Sequence, residues 1–187
     1  MYNSLSFLPY IPYNIIKYLA LNEEDFWKLI KYNSYDALSK PNLTFNEKMA
    51  LVWAKDDRQE NYNIFFTNLV EDAITQSKPI MKLYKFYIDT ENIYIANVVY
   101  QMDFLYGGNM AMVEYNGVPV SRDDLLIQRI LETLNGVYVG GVGKIQFNTQ
   151  MSRYSSVKTV IGNDKTFTGA SLYLVVQVGD TGAENGC

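Results

Sequence analysis

The stretch IMKLYKFYIDTENIYIANVVYQMDFLY, residues 80–106, decides the fold, because here the apolar pattern changes from helical to alternating. Residues 80–88 and 93–106 flank Asp89-Thr90-Glu91-Asn92, a turn-rich link short enough to join them as an antiparallel hairpin. In the second strand Tyr94, Ala96, Val98, Tyr100, Met102, Phe104 and Tyr106 share one face, while Asn97, Gln101 and Asp103 lie on the other. The first face is expected to be core and the second to meet water or a partner.

Downstream, Gly107-Gly108 breaks the strand, residues 110–115 form another, and Asn116-Gly117 is a tight-turn pair leading into Val118-Pro119-Val120. Ser121 opens the clearest helix: it is spaced from Asp124 as a capping box, Asp123 adds charge to the first turn, and Asn135-Gly136 supplies a left-handed stop. Leu126, Ile127, Ile130, Leu131 and Leu134 form its apolar face. Further strands are expected over 137–147, 157–161 and 170–178, separated by polar loops at 148–156 and 162–169.

Upstream the period is helical. Pro9 and Pro12 precede a short helix over 14–21, with Ile15, Ile16 and Leu19 on one side. Asn22 reads as an N-cap ahead of Glu23, Glu24 and Asp25, with Phe26, Trp27, Leu29 and Ile30 as the apolar stripe. Thr44 and Glu47 form a capping box for a helix over 45–55 that carries Met49, Val52 and Trp53, and Asn68 with Glu71 is spaced to cap another. The reading is α+β: a helical region at 1–79, then at 80–180 a small mixed, mainly antiparallel sheet packed on one central helix, then a polar tail at 181–187.

Composition removes whole classes of chemistry. The 187 residues contain no histidine, so Ser-His-Asp and Cys-His nucleophile systems and His-ligated zinc are excluded, and the single cysteine, Cys187, can form neither an intrachain disulfide nor a thiolate metal site. Sixteen basic residues against 20 acidic ones give a net charge of −4, which argues against a protein that grips nucleic-acid phosphates over a broad surface. No apolar run approaches the roughly 18 residues that span a bilayer, and residues 1–18 carry no basic segment ahead of their apolar residues; the expectation is a soluble, unexported protein without membrane contact. Sixteen tyrosines suit a subunit with much interface, since each combines apolar area with a hydroxyl that tolerates a wet boundary, although a Tyr- and Asn-rich composition equally fits an AT-rich genome.

The candidate chemistries are thin, and no cofactor or metal is expected. The glycine run 136–144 invites a phosphate-loop reading, but Tyr138 stands where the first glycine is required and Ile145 where the magnesium-binding Ser or Thr belongs, so it reads as a flexible helix-to-strand connection. A metal-dependent nuclease would use Asp103 and Glu114, with Asp123 or Asp124 nearby, although capping explains the last two and a solvated strand face the first two. Arg122, Lys144, Arg153, Lys158 and Lys165 are scattered cations best read as surface charge, and Tyr154 is a possible stacking residue beside them. Phe26, Trp27 and Trp53 mark helices that could form a groove for a partner, against the plainer reading of the two tryptophans as core.

The segments VVYQMDF (98–104), RILETLNG (129–136), GVGKIQF (141–147) and GASLYLVV (169–176) together resemble the head-tail connector family of tailed bacteriophages, over residues 80–180. The added helical region and the Tyr- and Asn-rich composition resemble the neck ring proteins of crAss-like and other podoviruses of gut Bacteroidetes. The resemblance implies a structural virion protein, not an enzyme. It would be assembled in the host cytoplasm into a six- or twelve-membered ring of the neck, with portal or an adjacent ring protein and tail proteins as partners. A tail terminator or tail-tube component is the nearest alternative placement. DNA would pass through the ring without sequence-specific binding, and acidic residues facing the channel would repel its phosphates. The loops carrying Arg153, Tyr154, Asn163, Asp164, Lys165 and Phe167 are the candidates for the lumen or for docking onto the next ring, since rigid strands project them, with plain surface loops as the equal alternative.

Overall fold

A computed structural model describes residues 4–54, 58–70, 74, 77–90, 95–140, 143–147, 157–161 and 167–179. The strands are β1 (Ile64–Phe65), β2 (Ile80–Thr90), β3 (Ile95–Gly107), β4 (Met112–Tyr115), β5 (Val118–Ser121), β6 (Ile145–Gln146), β7 (Val157–Ile161) and β8 (Phe167–Gly179). The main sheet has the order β1-β2-β3-β8-β6, with β7 also paired to β8; β1 joins β2 in parallel and the other pairs are antiparallel. β4 and β5 make a separate hairpin whose turn, Asn116-Gly117, has φ of 53° and 79°, the left-handed pair that two-residue hairpin turns require.

The β2–β3–β8 ladder is the frame. β3 and β8 pair without interruption from Ile95↔Gly179 to Gly107↔Phe167. They approach so closely at Gly169 that a Cβ there would lie 1.7 Å from the Phe104 carbonyl oxygen, which leaves glycine as the residue that fits. Between Lys85 and Tyr87 the β2–β3 register slips by one residue, so Phe86 is extra and the alternation of faces restarts after it.

One face of this sheet is covered by α1 (Ile11–Asn22), α2 (Asp25–Lys31) and α4 (Arg122–Leu134), while α3 (Phe45–Met49) packs beside α1. Ile15, Ile16, Leu19, Phe26, Trp27, Leu126, Ile130 and Leu134 meet Val98, Tyr100, Met102, Phe104, Leu172, Leu174 and Val176 in one continuous core. Phe26 stands edge-on to both Trp27 and Phe104, at centroid distances of 5.3 and 6.3 Å. The architecture is therefore α+β, with a mainly antiparallel mixed sheet packed on helices, as the alternating stretch predicts.

Several local expectations are corrected by longer-range contacts. Asn22 ends α1, its Nδ2 donating to the Tyr18 carbonyl, and the Glu23 carboxylate instead accepts from the Asp25 and Phe26 amides at the start of α2. The Thr44–Glu47 capping box forms, but α3 stops at Met49 because Val52 bridges Ile64 and the Trp53 amide donates to the Ile64 carbonyl, a pairing that pulls the chain out of the helix. Ser121 is the N-cap of α4 without a side-chain capping bond. The strand expected over 137–147 shrinks to Ile145–Gln146 because Gly136 and Gly140 take left-handed φ and bend the segment.

The second face of the sheet is not solvated as expected. Ile80 and Leu105 are covered by Phe65 and Ile74, with Trp53, Tyr62, Val70 and Phe167 packed around them, and Asn97 and Asp103 are buried as well. The alternation shows two faces but cannot show that Tyr62, Phe65, Val70 and Ile74 return to cover the second.

Candidate functional site

Three buried polar side chains fasten the helical layer. Arg122, fully buried, donates from Nε to the Met110 carbonyl at 2.7 Å and from its terminal nitrogens to the carbonyls of Leu29, Tyr32 and Ser34. It thereby occupies the carbonyls at the C-terminal end of α2, which no helical amide reaches. Burial pulls its guanidinium down to about 10. Lys48 does the same for α1, donating to the Ala20 and Glu23 carbonyls while pairing with Glu24 at 2.7 Å, and Asn63 donates to the Ile30 and Pro79 carbonyls. Arg122 is thus not a surface cation, and reading it as one is overturned: its four acceptors lie on segments that meet only in the folded chain.

The acidic run before α2 is divided among neighbours rather than left to the helix dipole alone. Glu23 accepts from Thr133, Glu24 from the Leu43 amide, and Asp25 pairs with Arg129 at 2.9 Å.

The carboxylates proposed for a metal do not converge. Asp103 is enclosed on the second face of the sheet, accepting from Tyr84 at 3.0 Å, from Gln101 at 2.7 Å and from Ser171. Burial and this carboxylate push the Tyr84 phenol well above its ordinary value. Asp123 lies beyond the opposite face, where Tyr106 donates to it, and Glu114 sits on the separate β4–β5 hairpin. Among the described residues no group of three or more Asp, Glu, Cys or His side chains is placed to hold a metal ion.

Of the partner-contact residues, Phe26 and Trp27 are fully buried between α2 and the sheet, so neither can present a groove. Trp53 lies beyond the end of α3 and leans on Phe65 at 6.0 Å, half-buried. Phe167 is the first residue of β8, paired with Gly107 and packed on the second-face cluster, not part of a loop. Arg153, Tyr154, Asn163, Asp164 and Lys165 lie outside the described residues, as do the tail 181–187 and Glu71 with its capping partner role.

The exposed apolar surface lies elsewhere. α1 buries Ile11, Ile15, Ile16, Leu19 and Ala20, yet its opposite side carries Tyr13 and Leu21, the latter 66% exposed, preceded by Tyr10 at 62% and Phe7. Tyr13, Lys17 and Leu21 stand one turn apart along that side, and Lys17 is the only charged residue of the helix. Beside the entry to α1, a cleft of about 270 Å³ is lined by Leu8, Pro9, Pro12, Phe66, Tyr84, Lys85 and Tyr100, with the Tyr100 hydroxyl donating to the Leu8 carbonyl. Phe86 and Tyr87, neighbours of Lys85, are also exposed. The sequence signal for this outer side is a twelve-residue helix with one charge, because a helix apolar all round is ordinarily covered all round.

No helix of the described residues is long and apolar enough to cross a membrane. Neither a curated protein nor a solved structure matches the chain. A family model, YomW, matches residues 23–176, which takes in α2, the whole β2–β3–β8 frame up to Val176, the hairpin and α4. With most of its length and its central architecture inside that match, the chain belongs to the YomW family, a family of phage-derived proteins.

Proposed function

We propose that this phage protein is a structural subunit of the virion: one copy in a six- or twelve-membered ring of the neck that joins portal to tail and forms part of the DNA channel. The observation that carries the reading is α1, whose outer side leaves Tyr13 and Leu21 in water beside a single charge. Apolar surface of this kind is stable in a soluble chain when another protein covers it. The phage derivation of the family supports the reading, as does the packing of α4 across a mainly antiparallel sheet, the arrangement that the connector resemblance implies.

The test is to purify the source particles on a density gradient and count this polypeptide against the major capsid protein by quantitative mass spectrometry. Six or twelve copies per particle are expected. Absence from purified particles overturns the reading.

A further inference from the structure

We infer that α1 of one copy docks on the outward face of the β4–β5 hairpin of a second copy, with Lys17 of the first paired to Glu114 of the second. The inference deepens the ring reading above and rests on it, by naming the surfaces through which neighbouring subunits meet.

The two surfaces are matched in kind. On α1, Lys17 is exposed within a strip formed by Tyr10, Tyr13 and Leu21. On the hairpin, Val113 points into the core and Met112 and Glu114 point away from it, with Pro119 paired across from Glu114, while Val118 pairs with Tyr115 and so shares the Val113 side. Met112 is 47% exposed, and Pro119 is exposed beside it. Each patch is thus apolar with one charge in it, and the charges are opposite. Among the described residues neither Lys17 nor Glu114 has an ion-pair partner within its own chain.

Within one copy Lys17 and Glu114 form no ion pair with each other, and the two patches lie on different surfaces. Asn14 of α1 sits against Gly140, where φ is +63° and a Cβ would fall 2.2 Å from the Asn14 amide nitrogen. Three residues on, the Gly143 amide donates to the Gln177 carbonyl, and Gln177 pairs with Asn97 near the Ile95 end of β3. The chain leaving α1 is held at the same end of α4, where Thr133 donates to Glu23. The hairpin departs from the other end of β3, beyond Gly107, at the start of α4. From there it runs along α4, where the Tyr115 hydroxyl accepts from Arg129, the partner of Asp25. The contact therefore joins two different patches on two copies, a head-to-tail arrangement that propagates and closes into a ring when the rotation allows.

The test is sedimentation of the purified full-length chain over a concentration series up to millimolar, for the wild type, Lys17→Glu, Glu114→Lys and an equimolar mixture of the two variants. Thermal melts of each variant establish that it is folded. The wild type is expected to self-associate, each variant alone to weaken association about tenfold or more through like-charge contact, and the mixture to regain it, because every contact between unlike variants restores an opposite pair. Unchanged association in the single variants, no recovery in the mixture, or a wild type that stays monomeric throughout overturns the inference. If particles contain six or twelve copies while the variants behave as wild type, the ring reading stands and this contact falls. If the mixture recovers association but particles lack the chain, the contact stands and the neck assignment falls.

Discussion

The sheet and the helical layer above it are closed in opposite ways. The β2–β3–β8 frame is held by a backbone ladder and by apolar side chains that alternate with it, so every contact follows from strand register. The helical layer is short: α2 has seven residues and α3 five, too few to be stable as isolated helices. Their terminal carbonyls are satisfied by side chains from far along the chain, Arg122 reaching Leu29 and Lys48 reaching Ala20. In the first region the order of the sequence nearly dictates the contacts; in the second, single polar residues hold together what local propensity does not.

The strongest way to break that contrast is Arg122→Leu. It removes the donor to four carbonyls and leaves buried acceptors unpaired, an effect of about 3–5 kcal/mol. Chemical denaturation should show the midpoint falling by that equivalent or the chain failing to fold, and near-wild-type stability would contradict the role assigned to this side chain. Substitution by Lys should recover little, since an ammonium cannot fan out to acceptors on four residues.

On the sheet side the matching change is Gly169→Ala. The added methyl collides with the Phe104 carbonyl, so β3 and β8 must separate locally, at about 2–3 kcal/mol. Amide exchange should accelerate along the β3–β8 ladder more than in α2 and α4. Equal acceleration everywhere would mean that the two regions unfold as one and that their difference is one of construction only.

These contrasts also explain what was legible in the sequence. The alternation over 80–106 carries the hairpin, the face with Val98, Tyr100, Met102 and Phe104, and the fold class, because a strand's inward residues are set by a local period of two. The Asn116-Gly117 turn and the Thr44–Glu47 cap are equally local and equally readable. Asp103 was not: its partners Tyr84 and Ser171 lie on the flanking strands, and nothing in VVYQMDF distinguishes a carboxylate facing water from one enclosed by hydroxyls. Arg122 was misread for the same reason, three of its four acceptors being some ninety residues away. Of the surfaces argued to carry function, the outer strip of α1 is visible in the sequence as a lack of charge, whereas the absence of an ion pair at Glu114 among the described residues shows only in the folded chain.

A smaller effect tests whether the capping box, legible as it was, matters to a layer held mainly from a distance. Thr44→Ala removes the acceptor of the Glu47 amide and should cost about 1 kcal/mol. Because Lys48 follows in the same short helix, a loss well above that value would mean that the cap and the Lys48 contacts to α1 form together, which a double-mutant cycle with Lys48→Met would reveal as coupling.

The smallest expected effect concerns the seam between the two regions, where Tyr106 of β3 donates to Asp123 of α4. Burial, aided by Asp124, raises the Asp123 carboxyl above its ordinary value, with the Tyr106 hydrogen bond and Arg122 opposing. A carboxyl raised in the folded state binds its proton more tightly there than in the unfolded chain. Its contribution to stability is therefore fully present below the unfolded value near 3.8 and is lost as pH rises through the folded one. Asp123→Asn keeps an acceptor for Tyr106 and abolishes the titration. Carboxylates elsewhere that are shifted the other way, Asp36 and Glu47, are common to both proteins and cancel in the comparison. The melting temperature of the wild type minus that of the variant should consequently increase as pH is lowered from neutrality toward 4. A difference that stays flat would show that the carboxyl is no harder to ionise in the folded protein than in the unfolded chain, and one that decreases would show that Arg122 and the Tyr106 hydroxyl outweigh burial at the seam.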